Sequence, residues 1–445
     1  MIRSCALLFL LLAPLPAQRL YVDAAVTTPG NGLSWSAAFR TVQGALTVAS
    51  PGTEVWVATG NYSGGFTVPA GVTLLGGFAT GYLRPTQRQP TLNRATLDGA
   101  NTQRVLTLGA GSVVDGFHVQ NGRAPAPGGG GALIDGVAAT VRGCVFRFNN
   151  VVAGSGGTAI LVRNGAQPVV ENCLFYTNGD GAGGDGIELV GAGGTYRNLT
   201  LFDTFNNAFS FRGGSSPRIT NCVFSENLGR GILHAGANDT PILENALFFN
   251  HPTAHYRYIA SELTTLAQLQ ALPFATGVAI GDPQFVSISA NDFRPLPTSP
   301  MIEAGRTVAG AATHDLGGNW RALDGNLDGL ERTDLGAHEF SNLVLTMVTH
   351  AGHGHIHPSV TGTTGLPALL LVSAGTIPEV AVAPFGMFAL NPASFFLFSI
   401  GSLPQFLTID IPPEVPVGTV LYFQAFAFGG AGGGNLSALA DLQVN

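Results

Sequence analysis

One short sequence pattern returns five times between Val141 and Asn250. Its first position is apolar, its third is Asn or Gly, its fourth is Cys, Leu or Ala, and four of the five copies end in Phe. The copies are Val141–Phe146, Val170–Phe175, Tyr196–Leu201, Ile219–Phe224 and Leu243–Phe248, with fourth positions 29, 26, 23 and 24 residues apart. This interval is too short for a domain, so it predicts a solenoid whose repeats bury their apolar faces against each other.

The residues within and between the copies indicate strands and turns. Apolar residues alternate within a copy, and Gly, Asn and Asp separate the copies. A repeat of this length fits one coil of a parallel β-helix with three short strands. Asparagines at the third position would stack at the ~4.8 Å strand spacing and form a side-chain amide ladder; they are Asn172, Asn198, Asn221 and Asn245. This region resembles the pectate-lyase-like family of right-handed parallel β-helix proteins, and the resemblance implies that fold.

Three of the four cysteines occupy the fourth position of the pattern, namely Cys144, Cys173 and Cys222. Equivalent positions predict one inward-facing column of free, buried thiols. A disulfide between Cys144 and Cys173 is the alternative if their coils are adjacent.

The charged residues exclude several functions. The chain has 445 residues, a net charge of −7 and 11% charged residues, and all 20 of its basic residues are arginines. The absence of lysine excludes a lysine base, a Schiff base and a Walker-type phosphate loop. The acidic balance argues against a nucleic-acid partner.

Residues 1–17 predict a secretory signal peptide. Arg3 precedes the apolar run Ala6–Leu12, and a small-residue exit follows at Leu15-Pro16-Ala17. No other stretch has the ~20 apolar residues needed to cross a bilayer. The mature chain is therefore expected to be secreted or at the cell surface, and monomeric, with no transmembrane segment.

The remaining chain divides into a solenoid, 18–340, and a tail, 341–445. Apolar residues at helical spacing predict a short capping helix over Ala37–Ala49 and a second helix from Ser261 to Pro273. Residues 281–340 resemble the closing segment of β-helix proteins that carry a choice-of-anchor Q domain, through Gly281-Asp282-Pro283, Asp315-Leu316-Gly317 and Asp334-Leu335-Gly336. Short strands separated by Pro and Gly predict a separate β-sandwich for the tail. The expected fold class is all-β.

Glu188 is the leading catalytic candidate. Aligning Ile160, Ile187, Phe209 and Ile232 as inward residues places Glu188 on a coil between those that carry Arg163 and Arg212, with Asp185 nearby. A polyuronate lyase needs cations that neutralise the sugar carboxylate and a base that removes the adjacent proton. The resemblance implies a site on this strand face. Ion pairing between strands on a solvated face is the alternative explanation.

A second outward column carries alternating charges. Its members, on successive coils, are Arg142, Glu171, Arg197, Thr220 and Glu244. We expect mostly a solvated ladder of ion pairs, and a glycan groove that includes nearby Tyr176 is the sharper alternative.

Two further segments suggest metal ligands. In the loop 324–329, Asp324, Asn326 and Asp328 alternate as in a calcium loop, and Asp334 follows one place before the position that normally holds the last carboxylate. A structural Ca²⁺ is thus one hypothesis, and a solvated acidic turn is the other. Near the start of the tail, histidines recur at His350, His353, His355 and His357, where we expect surface histidines rather than a transition-metal site.

Together these features predict an exported, non-catalytic solenoid that binds glycans, because a long regular face suits a long polymer. An extracellular polysaccharide lyase or hydrolase acting at Glu188 is the first alternative. A purely structural component of a cell surface is the second.

Overall fold

The computed structural model describes residues 18–445 with gaps at 153–155, 182, 324, 326–329, 342 and 350–354, and at short stretches of the tail (363–366, 374–375, 383–385, 392–394, 404, 408, 411–418, 429–433, 437–439 and 444–445). The predicted signal peptide lies outside the described residues. Among those described, no helix is long and apolar enough to cross a membrane.

Residues 19–280 wind into a parallel β-helix with three sheets, as the repeat predicts. Sheet 1 contains Arg19–Val22, Glu54–Ala58, Thr73–Phe78, Val113–Asp115, Thr140–Arg142, Val169–Glu171, Gly193–Arg197 and the first halves of Ser216–Ser225, Ile242–Phe249 and Ala275–Ile280. Sheet 2 contains Gly60–Ser63, Ala95–Asp98, Phe117–Gln120, Val145–Arg147, Leu174–Tyr176, Thr200–Phe202 and the second halves of the same three long strands. Sheet 3 contains Phe66–Val68, Leu106–Leu108, Ala132–Asp135, Ile160–Arg163, Ile187–Val190, Phe209–Arg212, Arg230–His234, Ala254–Tyr258 and the antiparallel Ser261–Leu263. Arg123–Ala124 also pairs with Asn150–Val151 between coils.

The predicted register is confirmed. Ile160 pairs with Ile187, Ile187 with Phe209 and Phe209 with Ile232, and all four side chains are fully buried. The inward residues of the three sheets form one continuous apolar core, which includes the three cysteines as free, buried thiols. Burial raises the pKa of the Cys173 thiol and raises that of Cys222 to about 12, so both stay protonated.

The bend between sheets 1 and 2 contains the predicted asparagine ladder. Asn172, Asn198, Asn221 and Asn245 all adopt left-handed backbone angles, with φ between 51° and 55°. Asn198 donates its side-chain amide to Asn172 Oδ1 at 3.1 Å, and Asn221 donates to Asn198 Oδ1 at 3.0 Å. Gly143 and Gly277 occupy the same bend on flanking coils, with φ of 58° and 64°. Glycine and asparagine fit because they tolerate this conformation better than other residues.

Both predicted helices are shorter than expected. The first helix is Val42–Val48. It begins later than predicted because Phe39 forms a bridge to Val22, and Thr41 then caps the helix. Its buried residues join the core at the first coil, as a capping helix should. At the other end, Ser261–Leu263 is a strand, and the second helix is only Leu266–Gln270, capped by Thr265. Three-residue 3₁₀ turns occur at Trp35–Ala37, Pro85–Gln87 and Ile288–Ala290.

Residues 281–340 do not continue the coils. After a hairpin of Phe285–Ser287 and Asp292–Pro295, this closing segment returns along the outside of the solenoid, over sheet 2 and the asparagine ladder. Its apolar residues bury the outward apolar residues of sheet 2 in a second core made of Val145, Leu174, Tyr176, Phe202, Val223, Leu247, Phe285, Phe293, Met301, Leu316, Leu335 and Ala337. The main chain of the closing segment also binds the ladder, because Asn172, Asn221 and Asn245 donate to the carbonyls of His314, Arg306 and Ala304.

A buried polar network holds the closing segment together. Arg321 donates to Glu339 Oε1 at 3.0 Å, Glu339 accepts the backbone N–H of Asp334, and Asp334 accepts the backbone N–H groups of Glu303 and Phe340. Burial raises the pKa of Asp334 to about 7. It also raises the pKa of Glu339 well above its usual range.

The contribution of Asp334 to stability is expected to fall as pH rises from 5 to 7. Asp334 keeps its proton in the folded chain up to about pH 7 but loses it near pH 4 when unfolded, so its own effect favours the folded chain less as pH rises, by about 2 kcal/mol between pH 5 and pH 7. The buried, neutral His118 and His251, whose pKa falls to about 3, act in the opposite direction, so the measurement compares two proteins. Urea midpoints at pH 5, 6 and 7 should rise more steeply with pH for Asp334→Asn than for wild type. Parallel curves for the two proteins would contradict this assignment.

The tail consists of antiparallel strands. One sheet contains Leu343–Thr349, His355–Gly362, Gln405–Phe406 and Ile409–Asp410, and another contains Phe395–Ser402, Pro367–Ser373, Val420–Phe428, Gly434–Leu436 and Ala440–Gln443. Thr376–Val382 and Gly386–Leu390 form a hairpin. A small apolar cluster joins residues of the two sheets, including Val360, Ala368 and Phe423, and the predicted sandwich remains a prediction.

Candidate functional site

Glu188 lies on the outer face of sheet 3 with one of its two predicted arginines. Arg212 donates to Glu188 Oε1 through Nη2 at 2.9 Å and Nε at 3.2 Å. Glu188 is almost completely buried, and its Oε2 lies so close to Gly156 that a side chain there would collide with it. Burial raises the pKa of Glu188, the charge of Asp185 adds to the rise, and Arg212 opposes it.

Asp185 is buried nearby, but its carboxylate is held by asparagines. Asn206 Nδ2 and Asn207 Nδ2 donate to Asp185 Oδ1 at 2.8 and 2.7 Å. Burial raises the pKa of Asp185 as well. A carboxylate held by amides in this way is better suited to fixing a turn than to accepting a substrate proton.

Arg163 is not the second cation that the sequence predicts beside Glu188. It donates to Asp135 Oδ2 through Nη2 at 2.8 Å and Nε at 2.9 Å. The prediction fails because Asp135 occupies the same position on the preceding coil and takes the guanidinium. Glu188 therefore has one arginine partner, Arg212, among the described residues.

In the charged column on sheet 1, Arg197 and Glu171 pair with each other, but this pair is covered. Arg197 donates to Glu171 Oε2 at 2.7 Å, and their side chains are only 9% and 5% exposed. The closing segment covers them, since Arg197 also donates to Gly310 O and Glu171 accepts the N–H of Ala312. The expectation of a solvated face or an open glycan groove is thus wrong for these two residues.

The outer members of the same column are more accessible. Arg142 binds Asp115 at 2.7 Å with 42% of its side chain exposed, and Glu244 binds Arg218 at 2.8 Å and Arg306 at 3.0 Å. Thr220, the remaining member of the column, is buried.

The two predicted metal segments fall largely outside the described residues. This applies to Asp324, Asn326 and Asp328 of the calcium hypothesis and to His350 and His353 of the histidine cluster. His355 and His357 lie on the strand His355–Gly362. Asp334 is described, and its carboxylate accepts two backbone N–H groups at a buried position. No group of three metal-ligating side chains occurs in the described part of the chain.

A cleft of about 250 Å³ opens on the outer face of sheet 2 where the closing segment leaves it uncovered. Three strands form its floor through His118, Val145, Arg147, Leu174 and Tyr176. One wall is the segment that precedes the sheet 2 strand Ala95–Asp98, with Pro90, Thr91 and Arg94. The other wall is the closing segment, with Ala290, Asn291, Leu316 and His338. Of the binding candidates predicted from the sequence, Tyr176 is the one that lines this cleft.

The cleft carries positive charge without a matching carboxylate. Arg147 donates to Gln120 Oε1 at 2.9 Å and to the Tyr176 hydroxyl at 3.1 Å, and neither it nor Arg94 has a carboxylate partner among the described residues. The arginines affect His118, whose pKa falls to about 3 through burial and then through the charges of Arg94 and Arg147. His118 is therefore neutral at physiological pH.

Two imidazole nitrogens in the cleft have no hydrogen-bond partner among the protein groups that the structure describes. They are Nδ1 of His118 and Nδ1 of His338, both buried. Asp315 Oδ2 is the nearest carboxylate oxygen to His338 Nδ1, at 3.9 Å, which exceeds hydrogen-bond range. Burial lowers the pKa of His338. Buried polar atoms without partners are rare.

Sequence reasoning missed most of this cleft. The residue that follows the inward aromatic of each copy is outward, and this rule would have shown Arg147 beside Tyr176. No sequence pattern indicates the walls, since Arg94 and His338 are far apart in sequence and line the same cleft only when the closing segment folds back.

Comparisons with known proteins agree with the fold. A family model described as the right-handed β-helix region matches residues 105–292. Pectate lyase Pel9A is structurally similar, with a TM-score of 0.38 and 16% identity over 73% of this chain and 96% of that chain. A rhamnogalacturonan lyase has a TM-score of 0.32 and 12% identity, over 62% of this chain and 92% of that chain. Tailspike protein 2 of an Escherichia coli O157:H7 bacteriophage has a TM-score of 0.23 and 10% identity, over 96% of this chain and 68% of that chain. No curated protein matches the chain.

The family model thus supports a right-handed β-helix region over residues 105–292. The three solved structures carry no argument about this chain at these identities and TM-scores, so its chemistry has to be argued from its own residues.

Proposed function

We propose that this chain is a non-catalytic, exported protein that binds acidic polysaccharide in the sheet 2 cleft. The observation that carries the proposal is the pair Arg94 and Arg147, which face a cleft without carboxylate partners. A guanidinium recognises a carboxylate through paired, charge-assisted hydrogen bonds.

Glu188 lies on sheet 3, away from this cleft, and its surroundings do not favour catalysis there. A lyase needs a base and a separate cation that is free for the substrate carboxylate. Arg212 binds Glu188 itself, Arg163 binds Asp135, and asparagines hold Asp185. One observation keeps a polysaccharide lyase as the second candidate: burial raises the pKa of both Glu188 and Asp185 toward the range useful to a base.

Replacing Arg147 by methionine is expected to weaken binding of a polyuronate by about 10- to 100-fold, the value of one charge-assisted interaction. Affinity electrophoresis with polygalacturonate at low and high salt measures the loss. The matched control is Arg123→Met, because Arg123 is also partly exposed but pairs with Asp180 outside the cleft. Equal retention of wild type and Arg147→Met would contradict the proposal.

The same samples test the lyase candidate. Cleavage of a polyuronate by elimination gives an unsaturated product that absorbs in the ultraviolet. The non-catalytic proposal predicts no such product, with calcium or with chelator. Product that disappears on Glu188→Gln would establish the lyase instead. The absence of both product and retention would favour a structural surface role.

A further inference from the structure

Phe148, which contacts the cleft residues Arg147 and Tyr176, has an unusual backbone conformation. It is the residue directly after the sheet 2 strand Val145–Arg147, and its φ is 54°. Five equivalent residues on other coils are also left-handed, and all five are polar: Asn121, Thr177, Asp203, Glu226 and Asn250. On the first two coils of sheet 2 this position is a glycine, Gly64 or Gly99. A bulky aromatic in this conformation is a genuine outlier.

The local packing does not explain why an aromatic residue stands there. Phe148 is 42% exposed, whereas a phenylalanine that stabilised the fold would be buried. Its recorded ring contacts are an edge contact with Tyr176 at 6.2 Å and the Arg147 guanidinium over the ring at 5.5 Å. Asparagine is preferred for this backbone and occurs twice in the same column, so Phe148 combines strain with apolar exposure. Such outliers point to functional sites.

The position of Phe148 suggests what it contacts. Arg147 donates into the cleft beside Tyr176 and also lies against the Phe148 ring. A carboxylate bound to Arg147 would therefore bring the rest of the same sugar residue to the exposed aromatic surface. The face of an aromatic ring is negatively polarised, and it complements the positively polarised C–H groups on one face of a pyranose ring.

We propose that Phe148 is a stacking platform for a pyranosiduronate residue, with the carboxylate on Arg147 and the C–H face of the ring on Phe148. This inference rests on the proposed function and makes it more specific. The ligand class becomes polysaccharides of cyclic uronic acids, and linear polyanions such as polyglutamate are disfavoured, because they offer a carboxylate without a ring face.

The test compares Phe148→Asn with wild type, Arg147→Met and a control, Phe205→Asn. Phe205 is similarly exposed, at 48%, but packs against Gly179 and Gly181, which do not line the cleft. Dissociation constants are measured by calorimetry for an oligogalacturonate and for polyglutamate, and melting temperatures are measured without ligand.

Phe148→Asn is expected to bind oligogalacturonate about tenfold more weakly and polyglutamate as wild type does. Its melting temperature should be unchanged or higher by about 2 °C, because asparagine relieves the left-handed strain. Arg147→Met should weaken both ligands, and Phe205→Asn neither.

Two results would overturn the inference about Phe148 while leaving the proposed function intact. One is wild-type affinity of Phe148→Asn for oligogalacturonate while Arg147→Met loses it. The other is a fall in the melting temperature of Phe148→Asn together with an equal loss for both ligands, which would give Phe148 a structural role. Failure of the wild-type chain to bind oligogalacturonate would overturn both proposals.

Discussion

Asn221→Ala is expected to lower the free energy of unfolding of the solenoid by about 3–5 kcal/mol. Asn221 is fully buried, donates to Asn198 Oδ1 and Arg306 O, and accepts the N–H of Arg306. Alanine leaves these three partners without hydrogen bonds, at about 1 kcal/mol each or more. It also places a Cβ in a left-handed residue that offers it no compensating side-chain bond, which adds about 1 kcal/mol.

Asn250→Ala separates these two contributions. Asn250 has nearly the same backbone, with φ of 49°, but it is exposed, and among the described residues its side chain bonds only to the half-buried Glu226 carboxylate. Asn250→Ala is expected to lower the free energy of unfolding by about 1 kcal/mol, from the backbone conformation alone. Urea unfolding of both variants, followed by far-ultraviolet circular dichroism, makes the comparison. Similar midpoints for the two variants would show that the ladder's hydrogen bonds contribute little.

Arg197→Met is expected to destabilise the chain by about 3–5 kcal/mol, because it leaves the buried charge of Glu171 without its partner. Both side chains lie under the closing segment, and Glu171 would keep only the N–H of Ala312. Since Arg197 also binds Gly310 O, the loss should appear first in the closing segment. Hydrogen exchange should therefore rise around residues 304–314 before it rises in the coils.

Arg142→Met is the control for this prediction. Arg142 occupies the same column, but its side chain is 42% exposed, and its partner Asp115 keeps a second arginine, Arg88, at 2.7 Å. Its loss should be below about 1 kcal/mol. The double variant Arg197→Met with Glu171→Met should recover much of the stability, because apolar replacement of a buried pair is often neutral. No recovery would mean that the hydrogen bonds to the closing segment, rather than the charge pair, stabilise this site.

The candidate site was predictable in part. Glu188 and Arg212 meet because they lie two residues apart in register on adjacent coils, and the repeat determines that register. The same argument failed for Arg163, because register places Asp135 directly opposite it on the preceding coil, whereas Glu188 lies two positions away on the next coil. Periodicity placed Tyr176 on the outside, but it could not show that Phe293 packs against its ring and that the hydroxyl faces Arg147.

The sequence by itself determined the parallel coils, the inward and outward faces, the cysteine column and the asparagine ladder. Each of these follows from a local pattern repeated at coil intervals, and strand pairing converts equal positions into neighbours. Only the tertiary structure decided which outward residues are covered and which line an open cleft. That depends on where residues 281–340 lie, through contacts such as Asn172 with His314 and Ala337 with Thr200, which span 142 and 137 residues. Such contacts follow from shape and from buried hydrogen bonding between distant segments, so no periodicity in the sequence records them.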